Sequence, residues 1–95
     1  MHLVIVEAAL GEAELARNRY TNINPELGDD FAGELQIAIN GIMAHPMAWS
    51  PVGRHARRRL LSRFPYAVIY RVEADLVRIV AVMHQRQRPS YWRGR

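Results

Sequence analysis

Two apolar runs only three residues apart leave this chain few ways to fold. Residues 66–72 (YAVIYRV) and 76–83 (LVRIVAVM) are rich in Val, Ile and Tyr, side chains that suit a pleated, packed surface. The link Glu73-Ala74-Asp75 is too short for a crossover, so the runs must lie side by side as an antiparallel hairpin. Alternation puts Tyr66, Val68, Tyr70 and Val72 on one face of the first strand and Ala67, Ile69 and Arg71 on the other. The second strand carries a single charge, Arg78, before His84, which predicts a central strand buried on both sides.

A hairpin apolar on both faces needs cover, and the upstream sequence supplies it. Residues 2–6 (HLVIV) have the length of a strand. Over residues 8–20, Ala9, Ala13, Ala16 and Tyr20 fall on one helix face, with Glu12, Arg17 and Arg19 outside it. Residues 21–24 are expected to connect this helix to the next. Asn24-Pro25-Glu26 then reads as an N-cap, a first-turn proline and an acid at the positive end of the helix dipole. Phe31, Leu35, Ala38 and Ile42 continue the stripe, led by Leu27 and widened by Ile39, while Asp29, Asp30 and Glu34 are expected near the exposed side. The helix ends at about Ala44, because His45 precedes Pro46. Both stripes predict an antiparallel helical hairpin against the sheet.

Residues 47–53 read as a loop broken by Pro51 and Gly53, residues 54–61 as the first of three consecutive strands, and Ser62-Arg63 as a turn. Past His84 the alternation is lost, and residues 84–95 are expected to form a C-terminal tail. The order is β-α-α-β-β-β: an α+β fold with a two-helix hairpin on one face of a small, mainly antiparallel sheet, in one domain over residues 1–95.

Charge divides the chain into halves of opposite sign. Residues 1–53 carry two Arg against seven acidic residues, net −5, and residues 54–95 carry eleven Arg against two, net +9. The basic half predicts a polyanionic or acidic partner. All thirteen cations are Arg, planar and suited to bidentate phosphate or carboxylate contacts. The absence of cysteine excludes disulfides and thiolate metal sites, and His2, His45, His55 and His84 lack metal-ligand spacing. No cofactor motif is present, and no apolar run approaches membrane-spanning length, so a soluble cytoplasmic protein with no membrane partner is expected.

The residues with chemical potential form an Arg–His–aromatic group. Arg57, Arg58, Arg59, Arg63, Arg88, Trp92 and Arg93 are candidates for binding a target or partner, with Arg on charges and Trp on bases or packed surfaces. His84 or Tyr91 could exchange a proton and Arg86 could stabilise developing charge, as RNA cleavage without a metal requires. A solvated face, or a docking site for an acidic protein, fits the same arginines.

The stretch RRRLLSRFPYAVIYRVEADLVRIVAVMHQRQRPSYW resembles the C-terminal half of the RelE/ParE superfamily of toxins from bacterial toxin–antitoxin modules. The FPYAVIYRV and RIVAVMHQR strands and the RPSYW ending carry the likeness, and EAELARNRY and NPELGDDF extend it over nearly the whole chain. The resemblance implies a type II toxin neutralised by a cognate antitoxin, which would wrap it with an amphipathic helix or an extended segment. RelE-like members cut mRNA in the ribosomal A site; ParE-like members poison DNA gyrase on the same fold and need no nuclease residues. By position Tyr91 matches the nuclease tyrosine and Arg86 lies beside its last-strand arginine, with His84 close in sequence. Ala67, however, stands where the nuclease branch has an arginine, and the HQR at 84–86 is more ParE-like. A gyrase-directed toxin is therefore the leading reading. A ribosome-dependent endoribonuclease is the alternative, and a non-toxic Arg-rich RNA-binding or interaction domain the third.

Overall fold

In the computed structural model, which describes residues 1–95, the chain runs β1 (His2–Ile5), α1 (Glu7–Ile23), α2 (Pro25–Ala44), β2 (Ser50–Val52), β3 (Ala56–Leu60), β4 (Tyr66–Glu73) and β5 (Leu76–His84). The five strands form one sheet in the order β1-β5-β4-β3-β2. Only the β1–β5 pair is parallel; β5 is an interior strand flanked by β1 and β4, as its apolar sequence requires, and β4 holds the middle of the sheet. The predicted α+β fold, with two helices on one face of a mainly antiparallel sheet, is the one observed.

The expected β4–β5 hairpin forms, turning at Ala74, whose positive φ of 50° is a backbone region disfavoured for a residue with a β-carbon. Its faces separate as alternation predicts. Tyr66, Val68 and Tyr70 join Phe31, Ala38, Ile42, Val77 and Ile79 in the core beneath the helices. Ala67 and Ile69 join a smaller core on the opposite face. A bulge in β5 breaks the alternation: Ile69 faces Ala81 and Tyr70 faces Ile79, leaving Val80 as the additional residue. Val80 and Ala81 consequently both belong to the second core.

Four expectations need correction. α1 does not stop at Tyr20 but continues to Ile23, and Asn24 alone joins the helices. Its backbone N–H bonds the Tyr20 carbonyl to close α1, and its side chain accepts from the Glu26 N–H to open α2. The helices cross closely at Gly28, where a β-carbon would lie 1.9 Å from the Thr21 hydroxyl oxygen. Residues 47–53 are not simply a loop, because β2 pairs antiparallel with β3 despite Pro51, which an edge strand tolerates. Leu35 is only partly buried. Glu34 is not on the open side: its carboxylate accepts from the Ser62 and Arg63 N–H groups and from the Arg63 guanidinium, pinning the β3–β4 turn to α2.

Candidate functional site

The face of the sheet without helices would be an open apolar surface if the C-terminal residues trailed into solvent. Instead they fold back across it. Trp92 is 3% exposed and packs with Ala56, Ala67, Ile69, Val80 and Ala81. The segment is held at the sheet margin. β1 ends at Ile5, opposite Ile79, so β5 runs on with a free edge. There the Glu12 carboxylate, reaching from α1, accepts the Val82 N–H at 3.1 Å. The same carboxylate accepts the Tyr91 hydroxyl at 2.7 Å and Arg95 Nη1 at 2.9 Å. Arg95 also donates to the Val80 carbonyl, and its guanidinium lies over the Tyr91 ring at 5.0 Å.

This arrangement fixes what Tyr91 can do. Burial, followed by the hydrogen bond and charge of Glu12, raises its phenol well above the ordinary tyrosine value. The hydroxyl is thus held protonated as a donor to a carboxylate, the opposite of a poised base.

His84 lies elsewhere. Its ring packs edge-on against Tyr66 at 5.0 Å, on the helix face, and Nδ1 accepts the Arg86 N–H at 3.0 Å. The Tyr66 hydroxyl in turn accepts from Arg19 Nη1 at 2.9 Å. Tyr91 packs against the core of the other face, so the sheet separates the two proton-transfer candidates. Arg86 is exposed and pairs with no carboxylate. Ala67, 3% exposed, shares its buried cluster with Trp92, so an indole fills the face onto which a larger residue at 67 would project.

The arginine run divides by strand alternation as expected. Arg57 and Arg59 turn toward the helices, where Arg57 Nη1 donates to the Trp49 carbonyl at 2.7 Å and the Arg59 guanidinium stacks 4.4 Å from the Trp49 ring. Gly41 lies against that stack, and a β-carbon there would just touch Arg59 and Trp49, at 3.4 Å. Arg58 points to the other face beside a hollow of about 300 Å³ lined by Leu60, Ala67, Met83, Pro89 and Trp92. Arg63 is committed to Glu34 and lies 3.8 Å from Asp30. Arg88 and Arg93 are exposed. The basic half is therefore not one uniform patch: Arg57, Arg59 and Arg63 are tied into the fold, whereas Arg58, Arg88 and Arg93 remain open. No three His, Asp or Glu side chains converge as metal ligands.

The sequence reading passed over Glu12, set aside as lying off the alanine ridge, and Arg95, treated as tail. Neither carried a signal, because their meeting depends on where β1 stops. Arg54 and Arg71 were also left out; the Gly53-Arg54-His55 tip, just after a strand-length SPV, was the clue to a further hairpin.

The family model that matches this chain is described as the ParE toxin of the type II toxin–antitoxin system, parDE, and it covers residues 4–89. Among solved structures, one described as the chromosomal ParDE TA system from P. aeruginosa is similar in fold, with a TM-score of 0.77 at 19% identity. That similarity covers 88% of this chain and 95% of the other. A comparison with curated proteins gave no match.

Proposed function

The chain belongs to the ParE toxin family of type II toxin–antitoxin systems, and on that premise we propose that it acts on DNA gyrase without cleaving RNA, and is held inactive by a cognate antitoxin. One observation carries the choice of target. The Tyr91 hydroxyl, the natural candidate for proton transfer, is bound to Glu12 as a structural donor on the far side of the sheet from His84. Ala67 supports the same reading, because it supplies no cation where a nuclease would use one. The antitoxin is expected to contact the basic half, where steering of its acidic residues would make association fall with salt more than dissociation rises. A gyrase target places the site of action in the cytoplasm.

The test is growth arrest by the Tyr91→Phe variant, measured beside gyrase–DNA cleavage complexes and mRNA cleavage on translating ribosomes. Phe keeps the ring and removes only the hydroxyl, so toxicity and gyrase complexes should persist and no mRNA cleavage should appear with either chain. Cleavage by the wild type that disappears with the hydroxyl, by about 10²–10⁴-fold, would replace this reading with the endoribonuclease one.

A further inference from the structure

Beside the Trp92 core, four arginines border one trough, two of them unpaired and two with part of the guanidinium bonded to backbone carbonyls. It runs past the tip of the β2–β3 hairpin as two adjoining hollows of about 580 and 330 Å³ that share Arg54, His55, Ala56 and Arg71. Arg57 lines the larger hollow and Arg93 the smaller. Three separate elements thus bring four arginines and a histidine to one depression. Arg54 and Arg93 have no carboxylate partner, and the Arg93 guanidinium lies beside the hairpin tip, 3.8 Å from where a β-carbon on Gly53 would stand. Arg71 gives Nη1 to the Arg95 carbonyl, which leaves the rest of its fork open. The one acid in the lining, Glu73, is already bound to Arg78 at 2.8 Å.

From this juxtaposition we infer that the trough binds the sugar–phosphate backbone of duplex DNA directly, without help from another protein. An acidic peptide is the competing polyanion, and the trough suits it poorly. An extended peptide gains affinity by pairing with a strand edge, but β2 has Pro51 at the centre of its three residues and so lacks a ladder donor. A single strand of nucleic acid suits it poorly too. Such ligands are held largely by stacking on successive aromatic rings, and with Trp92 3% exposed the lining offers only the single ring of His55. What remains is a set of fork-shaped cations without a row of stacking platforms, which matches a duplex, whose phosphates face outward and whose bases are already stacked. The inference stands apart from the choice of gyrase as target, since it concerns the purified chain and DNA alone.

The test is fluorescence anisotropy of a labelled random-sequence DNA duplex with the chain made in a cell-free system, titrated at several salt concentrations. Four phosphate contacts predict that log K falls with log salt with a slope of about −3.6. Arg54→Gln/Arg93→Gln alters only exposed side chains, and an unchanged Tm would confirm an intact fold. It should weaken binding at least tenfold at low salt and reduce the slope by about 1.8. Arg86→Gln/Arg88→Gln, with the same change in net charge outside the trough, should produce less than half that loss. Equal losses in both variants would mean that binding follows net charge alone and would overturn the inference. So would the absence of duplex binding, or tighter binding of polyglutamate or of single-stranded DNA than of the duplex.

Discussion

Replacing Glu12 by Ala removes the acceptor from three donors at once: the Val82 N–H, the Tyr91 hydroxyl and Arg95 Nη1. Hydrogen bonds to a charged group contribute about 1.5–3 kcal/mol each. The three share one carboxylate, whose side chain is 18% exposed, so water takes over part of their role after the substitution. A net loss of about 3 kcal/mol follows, which in a domain of this size lowers Tm by about 12–24 °C. Glu12→Gln keeps a neutral acceptor for one or two of the donors and should lose only about 1 kcal/mol. Urea unfolding gives both values. Amide exchange at Val82 and Trp92 fluorescence show whether the loss begins with release of the C-terminal segment, as the geometry requires. A Glu12→Ala variant within about 0.5 kcal/mol of wild type, with Val82 still protected, would refute the account.

Gly28→Ala should cost about 1–3 kcal/mol, because its methyl would lie 3.0 Å from the Thr21 β-carbon and closer still to the hydroxyl; Thr21→Gly in the same chain should relieve the side-chain part of the clash, though not the 3.2 Å contact with the Thr21 Cα or the cost of a helical glycine. Trp92→Ala should cost about 3–5 kcal/mol in chemical denaturation and expose Ile69 and Val80 to the dye ANS, since the indole is their cover. Burial pushes the Glu34 carboxyl up, but the Arg63 and Ser62 hydrogen bonds and the Arg63 charge outweigh it and hold the group below the usual carboxylate range. Its contribution is present above that range and lost as pH falls through the depressed value, so on acidification through and below the usual carboxylate range wild type should lose stability more steeply than Glu34→Gln. Ile42→Ala should cost about 2–5 kcal/mol and Leu35→Ala distinctly less, because Ile42 is fully buried and Leu35 lines an open groove.

Those features that depend on local periodicity are legible in the sequence. Tyr66, Val68 and Tyr70 alternate with Ala67 and Ile69, and the two sets do line opposite cores. Asn24-Pro25-Glu26 marked the opening of α2 to the residue. What escaped was non-local. Nothing near Glu12 announces that β5 has a free edge beside it, and nothing near Glu34 announces the backbone N–H groups of Ser62 and Arg63. The bulge at Val80 was hidden because a run of Val, Ile and Ala reads the same with or without an additional residue. β2 was missed because its three residues include a proline, which counts against a strand everywhere except at an edge. Among the candidate site residues, type and charge were readable, but whether an arginine is free or already bonded was not. Arg58 and Arg59 are identical in sequence terms, and only the strand's pleat gives one to solvent and the other to Trp49.

The parallel β1–β5 pair also sets a timetable for synthesis. β1 leaves the ribosome first, yet its partners Leu76 to Ile79 follow more than seventy residues later. At about 5–20 residues per second that is an interval of roughly 4–15 s. During it the helical hairpin, joined by Asn24 alone, can form and fold over the waiting strand, whereas the sheet cannot close around β5. A nascent chain interrupted before residue 76 thus lacks the strand that joins β1 to β4, and it cannot present Arg71 and Arg93 together on one surface. The basic surface would come into being only once Arg93 has followed β5, well after the helices, late enough for an antitoxin already present in the cell to meet it as it forms.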